Sequence, residues 1–162
     1  MCAPSPTTTS VPISLIPVSH TYSHNLVHCV FSTKERLNLI RNPEELWRYV
    51  AVMAHGKSIH VVAAGGTSNH LHLLILLPQT MTLAKAMQEL KANTSRWLRE
   101  TSSKFQWQEG YGAFSVSQSQ RETVADYIAN QAEHHRTRTF EQEFSALLRR
   151  SGIQYDSRFV FG

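Results

Sequence analysis

Residues 70–77 read His-Leu-His-Leu-Leu-Ile-Leu-Leu and stop at Pro78, and no other stretch constrains the fold as tightly. A membrane-spanning helix needs about 20 apolar residues, so a run this short, interrupted by His72, predicts no membrane partner. Its length and its terminal proline read as a β-strand. Successive strand residues point to opposite faces, so His70 and His72 share one face while Leu71 and Leu73 enter the other. A chain of 162 residues can build one domain with a substantial core around such a strand.

The remaining sequence supplies that core. Hydrophobic residues make up 41% and charged residues 17%, a soluble globular balance rather than a disordered one. Four of the six prolines fall in the first seventeen residues, and no Lys, Arg, Asp or Glu precedes Lys34. Residues 1–20 are therefore expected to be a flexible Pro/Ser/Thr-rich extension, and 21–162 a single domain. The extension has neither the basic start nor the unbroken apolar centre of a secretory signal. Cys2 and Cys29 cannot define a disulfide framework, which fits a reducing compartment.

Strands are expected over 25–32, 59–64, 70–77 and 111–117. Gly65-Gly66 reads as a turn marker. Helices are expected over 43–57, capped by Asn42 with Pro43 in the first turn, and over 83–100, capped by Thr82. Two more follow over 120–135 and 139–150. This order predicts an α+β fold: a ferredoxin-like or RRM-like antiparallel four-stranded sheet with helices on one face and the other face left for a ligand.

Two imidazoles at neighbouring same-face positions of a strand can hold a divalent ion, because neutral imidazole suits Mn, Zn, Fe and similar metals. Two ligands do not complete a site, and the pair also suits ordinary half-buried histidines. Tyr127 and Gln131 are four residues apart and share a helix face. A tyrosine hydroxyl beside a metal-polarised phosphate is a candidate nucleophile, and the Gln131 amide oxygen is a candidate third ligand. His134 and His135 close the same helix; being adjacent, they cannot both face the Gln131 side, and they are kept as supporting or DNA-backbone candidates. The stretch 82–104 carries five bases and two acids, within a chain of net charge +4. Lys85, Lys91, Arg96 and Arg99 are the candidate phosphate contacts there. Trp107, in a polar linker, is a candidate base-stacking residue, whereas Trp97 is expected in the core.

Taken in order, Val30-Phe31-Ser32-Thr33-Lys34, Asn69-His70-Leu71-His72-Leu73-Leu74, Gly110-Tyr111-Gly112-Ala113-Phe114-Ser115, Tyr127-Ile128-Ala129-Asn130-Gln131 and Glu133-His134-His135 form a specific series. Together with Gly152-Ile153 and Asp156, this series resembles the IS200-like single-tyrosine transposases of the histidine-hydrophobic-histidine nuclease superfamily. Within that family it looks most like the branch associated with repetitive extragenic palindromes (REP). The resemblance implies a metal-dependent endonuclease and strand transferase that cuts single-stranded DNA beside a hairpin through a 5′-phosphotyrosine intermediate. It implies Mg2+ or Mn2+ as cofactor, a homodimer, and a cytoplasmic, nucleoid-associated location. Carried over residue by residue, Tyr127 matches the nucleophile, His70 and His72 the metal pair, and Gln131 the third ligand. The alternative is a non-catalytic nucleic-acid-binding protein of the same fold.

Overall fold

The computed structural model describes residues 22–161, so the extension expected at 1–20 lies outside the described residues. Strands β1 (Leu26–Ser32), β2 (His60–Gly66), β3 (His70–Leu76) and β4 (Gly112–Ser115) form one sheet in the order β2-β3-β1-β4. Every pairing is antiparallel. In register, Ser32 lies opposite His70, Val30 opposite His72, and His28 opposite Leu74. The expected α+β, ferredoxin-like architecture is therefore present.

One face of the sheet carries Cys29, Phe31, Leu71, Leu73 and Ile75, all buried. They meet Leu46, Val50 and Ala54 of helix α1 (Pro43–His55) and Ala86, Met87, Leu90 and Leu98 of helix α2 (Leu83–Arg99). Each large apolar side chain removed from water in this layer contributes about 1.5–3 kcal/mol. The α2 start forms as its sequence predicts, with Thr82 accepting from the Lys85 amide at 3.2 Å. Asn42 occupies the cap position of α1 but makes no side-chain capping bond, leaving Pro43 as the sequence feature that sets that end.

The second face is not open, which corrects the expectation of helices on one face only. Val30 and Phe114 pack against Phe140 and Leu148 of helix α5 (Phe140–Arg150), and Leu26 and Leu74 against Ile128 of helix α3 (Arg121–Ala129). The reason lies in the strands, which are apolar on both faces and need two covering layers. The helix expected over 120–135 is also divided: α3 ends at Ala129 with Asn130 as its cap, and a single turn, α4 (Gln131–His134), follows. Gly65-Gly66 is not a turn but the end of β2, with the turn following at 67–69. Gly65 has a packing role, since a Cβ there would stand 1.9 Å from the Ile128 carbonyl oxygen. The α3 backbone rests directly on β2 at that point. No helix among the described residues is long and apolar enough to cross a membrane.

Candidate metal centre and tyrosine

The period-two geometry of β3 turns His70 and His72 to the α3/α5 side, where both are buried. Their ring centroids are 5.1 Å apart. Each ring is fixed from behind. His70 Nδ1 lies 2.7 Å from Asn69 Oδ1 and 3.0 Å from Thr67 Oγ1. Asn69 is itself oriented by donating its amide to the Arg36 carbonyl at 3.2 Å. A proton on His70 Nδ1 satisfies Asn69 and leaves Nε2 with a lone pair aimed into the centre. His72 Nδ1 lies 2.9 Å from His28 Nε2, and the same logic frees His72 Nε2 when Nδ1 donates. Burial, then repulsion from His72, lowers His28 and His70 to about 3, so both are neutral.

Glu143 of α5 enters the centre from the other side. Its Oε2 is 2.9 Å from His135 Nε2, 3.3 Å from His72 Nε2 and 4.0 Å from His70 Nε2. Its Oε1 accepts from the Gln131 amide at 3.0 Å and from the Tyr127 hydroxyl. Burial pushes this carboxyl up, but the His135 hydrogen bond and the adjacent His72 ring outweigh it and hold the group well below the usual carboxylate range. The Tyr127 hydroxyl is pushed above its ordinary value, first by burial and then by its bond to Glu143.

The donor atoms of His70, His72, His135 and Glu143 all lie within 4.8 Å of one another. Two features fit a divalent cation. His72 Nε2 is completely buried and 3.3 Å from Glu143 Oε2, yet makes no hydrogen bond. His135 faces two acceptors, the Arg138 carbonyl at 2.9 Å and Glu143 Oε2. A neutral imidazole can donate to only one of them, whereas a cation between ring and carboxylate would satisfy the second. Gln131 is buried, with Oε1 3.4 Å from His70 Nε2, which places a further oxygen at the rim of the cluster.

The structure thus brings Tyr127, His70, His72, Gln131 and His135 together within one chain. His134 stays outside, exposed and packed on the Tyr127 ring at 4.8 Å between centroids. Glu143 and His28 were not visible as site residues in the sequence. Glu143 had one signal: it is a carboxylate on the apolar stripe Phe140, Phe144, Leu147 and Leu148 of an amphipathic helix. The start of that helix is fixed by a reciprocal capping box between Thr139 and Gln142.

The basic candidates divide. Lys85 pairs with Glu89 at 2.9 Å. Lys91 donates to the carbonyls of Gln108 and Gly110, both at 2.7 Å, and so holds the loop before β4. Arg96 and Arg99 are exposed and line an open groove of about 670 Å³ together with Lys34. Trp107 is not a surface stacking residue: it is buried, edge-on to Phe31 and Phe105, and donates to Thr94 Oγ1 at 3.0 Å. Its polar sequence neighbours concealed this. Trp97, expected in the core, instead packs at its margin, stacked on Tyr49 at 4.8 Å.

Residues 21–131 match the family model described as "Transposase IS200 like". No curated protein matches the chain. Among solved structures, a candidate transposase from Deinococcus radiodurans R1 is 18% identical with a TM-score of 0.57, over 70% of this chain and 95% of that one. A REP-associated tyrosine transposase bound to a REP hairpin is 13% identical with a TM-score of 0.51, over 68% of this chain and 70% of that one. At these identities the two structures establish a shared fold. His135 and Glu143 lie beyond the last residue of the family match.

Proposed function

Since the chain belongs to the IS200-like transposase family, we propose that it is a single-stranded DNA nicking and joining enzyme with Tyr127 as nucleophile. The observation that carries this reading is the Tyr127 hydroxyl, held on the carboxylate that also faces both β3 histidines. In the reaction, Tyr127 Oη attacks a backbone phosphorus and the P–O3′ bond breaks. The products are a 5′-phosphotyrosine and a strand ending in a 3′-hydroxyl. Glu143 is placed to receive the tyrosine proton, and a proton from solvent completes the leaving hydroxyl. Rejoining reverses these steps with a 3′-hydroxyl as attacker.

His70 and His72, with His135, Glu143 or Gln131 completing the set, would hold a divalent ion whose chemistry is to polarise the phosphoryl oxygen. A donor set dominated by imidazole favours Mn2+ over Mg2+. The substrate is a single strand beside a hairpin. That reading is supported by the motif series and by the fold shared with a REP-associated enzyme bound to a REP hairpin. The working unit is a homodimer; the support is that β4 pairs only with β1 among the described residues, leaving its outer edge available.

The test is a denaturing gel of labelled hairpin DNA incubated with protein and manganese. A covalent adduct is expected from the wild type and none from Tyr127→Phe, with binding retained. Binding without an adduct in the wild type would favour the non-catalytic alternative.

A further inference from the structure

Two grooves meet at the turn formed by residues 33–36. On one side lies the open groove of about 670 Å³ whose cations are Lys34, Arg96, the carbonyl-bound Lys91, and Arg99, with its Nε on the Phe105 carbonyl and its terminal nitrogens exposed. Glu109 is its single acidic lining residue. On the other side is a groove of about 650 Å³ bordered by Asn38, Ser68, Asn69 and Arg138, with Glu35 and the Arg36-paired Glu141 as its carboxylates and His135 of the candidate metal cluster in its wall. The first is a surface for phosphates; the second offers the Arg138 guanidinium and the linked Asn38–Ser68 pair, whose hydroxyl donates to the Asn38 amide oxygen at 2.8 Å and leaves the Asn38 amide NH2 to read base edges.

The turn between them is unusual. Glu35 and Arg36 both have left-handed backbone conformations, with φ of 55° and 57°. Consecutive non-glycine residues hold this geometry only where the surroundings over-determine it, and such strain concentrates at binding sites. Here the tethers reach both grooves. The Lys34 amide donates to the Gln106 carbonyl at 2.9 Å and the Glu35 amide to Gln108 Oε1 at 3.1 Å, on the basic side. The Thr33 amide donates to the Asn69 carbonyl at 2.8 Å, on the polar side. Arg36 does not compete for phosphate, because Glu141 holds its Nε at 2.6 Å and the Phe161 carbonyl its Nη1 at 2.7 Å. The turn is thus a fixed ridge with Lys34 exposed on one flank.

We propose that a single nucleic-acid strand crosses this ridge. Its phosphates are held by Lys34, Arg96 and Arg99 in the basic groove, and its bases next to the metal cluster are read by Asn38, Ser68 and Arg138 in the polar groove. The inference rests on the single-strand reading above and adds where the strand lies and which residues select its sequence.

The experiment uses the full chain as Tyr127→Phe, so that binding is read without cleavage. Fluorescence anisotropy of a labelled thymidine homopolymer is followed over a salt series. Replacing Lys34, Arg96 and Arg99 together with Ala should lower affinity about tenfold or more and flatten the log–log salt slope by about 2. Lys34→Glu alone, at an exposed turn position, should show the same trend if the triple variant folds poorly. Arg48→Ala, exposed on α1 and outside both grooves, should change neither quantity. In a selection of bound strands from a random pool, Asn38→Ala with Arg138→Ala should erase the base preferences at the cluster end and leave the salt slope intact. Unchanged affinity and slope in the basic-groove variants, or preferences that survive in the polar-groove variant, would overturn the track and leave the nuclease reading standing. Absence of any binding by the parent Tyr127→Phe chain would overturn both.

Discussion

The hydroxyl of Tyr127 donates to Glu143 Oε1, joining residues sixteen apart in sequence on two different helices. The same carboxylate meets His135 and stands beside His72, so the candidate nucleophile and the candidate cation site share one anionic group. Glu143→Gln keeps the shape and removes the charge. Adduct formation should fall by about 10²–10⁴, the range for losing a proton acceptor, while single-strand affinity is unchanged. A gel time course beside an anisotropy titration checks both, and an adduct rate equal to wild type would remove Glu143 from the chemistry.

Asn69 orients His70 without facing the centre itself. Losing such a partner costs about 10–100-fold in metal affinity. Manganese titration by calorimetry should show that loss in Asn69→Ala and a larger one in His70→Ala. Wild-type affinity in Asn69→Ala would mean that the strand alone holds the ring.

Stability without metal should fall as the solution is acidified. His28 and His70 sit at about 3 in the folded chain against about 6.5 when unfolded. Below 6.5 the unfolded chain therefore binds more protons, and stability that is complete above that value is lost progressively toward 3. The lowered Glu143 carboxyl adds a loss in the same direction once pH falls below about 4.3, its unfolded value. Urea midpoints in chelator should be lower at about pH 5 than at about pH 7.5. An equal or higher midpoint at the lower pH would contradict the buried neutral imidazoles.

Gly65→Ala forces α3 off β2, since no side-chain rotation relieves a Cβ placed against the Ile128 carbonyl. A cost of about 1–3 kcal/mol is expected, together with reduced adduct formation because Tyr127 is one residue from the displaced position. A thermal melt and the adduct gel measure the two effects. Full activity with an unshifted melt would show that the helix has slack there.

Much of this was legible in the sequence, for local reasons. The strand period put His70 and His72 on one face whatever packed above them. The spacing of four brought Gln131 under Tyr127, and although the helix breaks at Asn130, Gln131 Nε2 still reaches the Tyr127 carbonyl at 3.4 Å. Glu143 and His28 depend on tertiary placement: each is a lone polar residue in an apolar pattern, with partners 71 and 44 positions away. Trp107 looks like a surface residue in the sequence because its neighbours there are polar, while its neighbours in space are Phe31, Phe105 and Thr94. The covered second face of the sheet followed from strand residues apolar on both sides, a signal present in β3 but outweighed by the pattern of element order.

That covering has a steric consequence. In an RNA-recognition module the bare sheet is a table on which bases lie flat. Here α3 and α5 occupy the table, and His70 and His72 lie under them with less than 2% of their surface exposed. Among the described residues, a groove at the rim, lined by His135 and the turn at 67–69, lies beside them. A paired helix presents its backbone on a broad, stiff cylinder, whereas one unpaired strand is thin and flexible enough to turn a phosphate inward under such a roof. Under the nicking reading proposed above, selection for unpaired DNA would need no dedicated reader, because the roof over the sheet would act as a gauge of strand thickness.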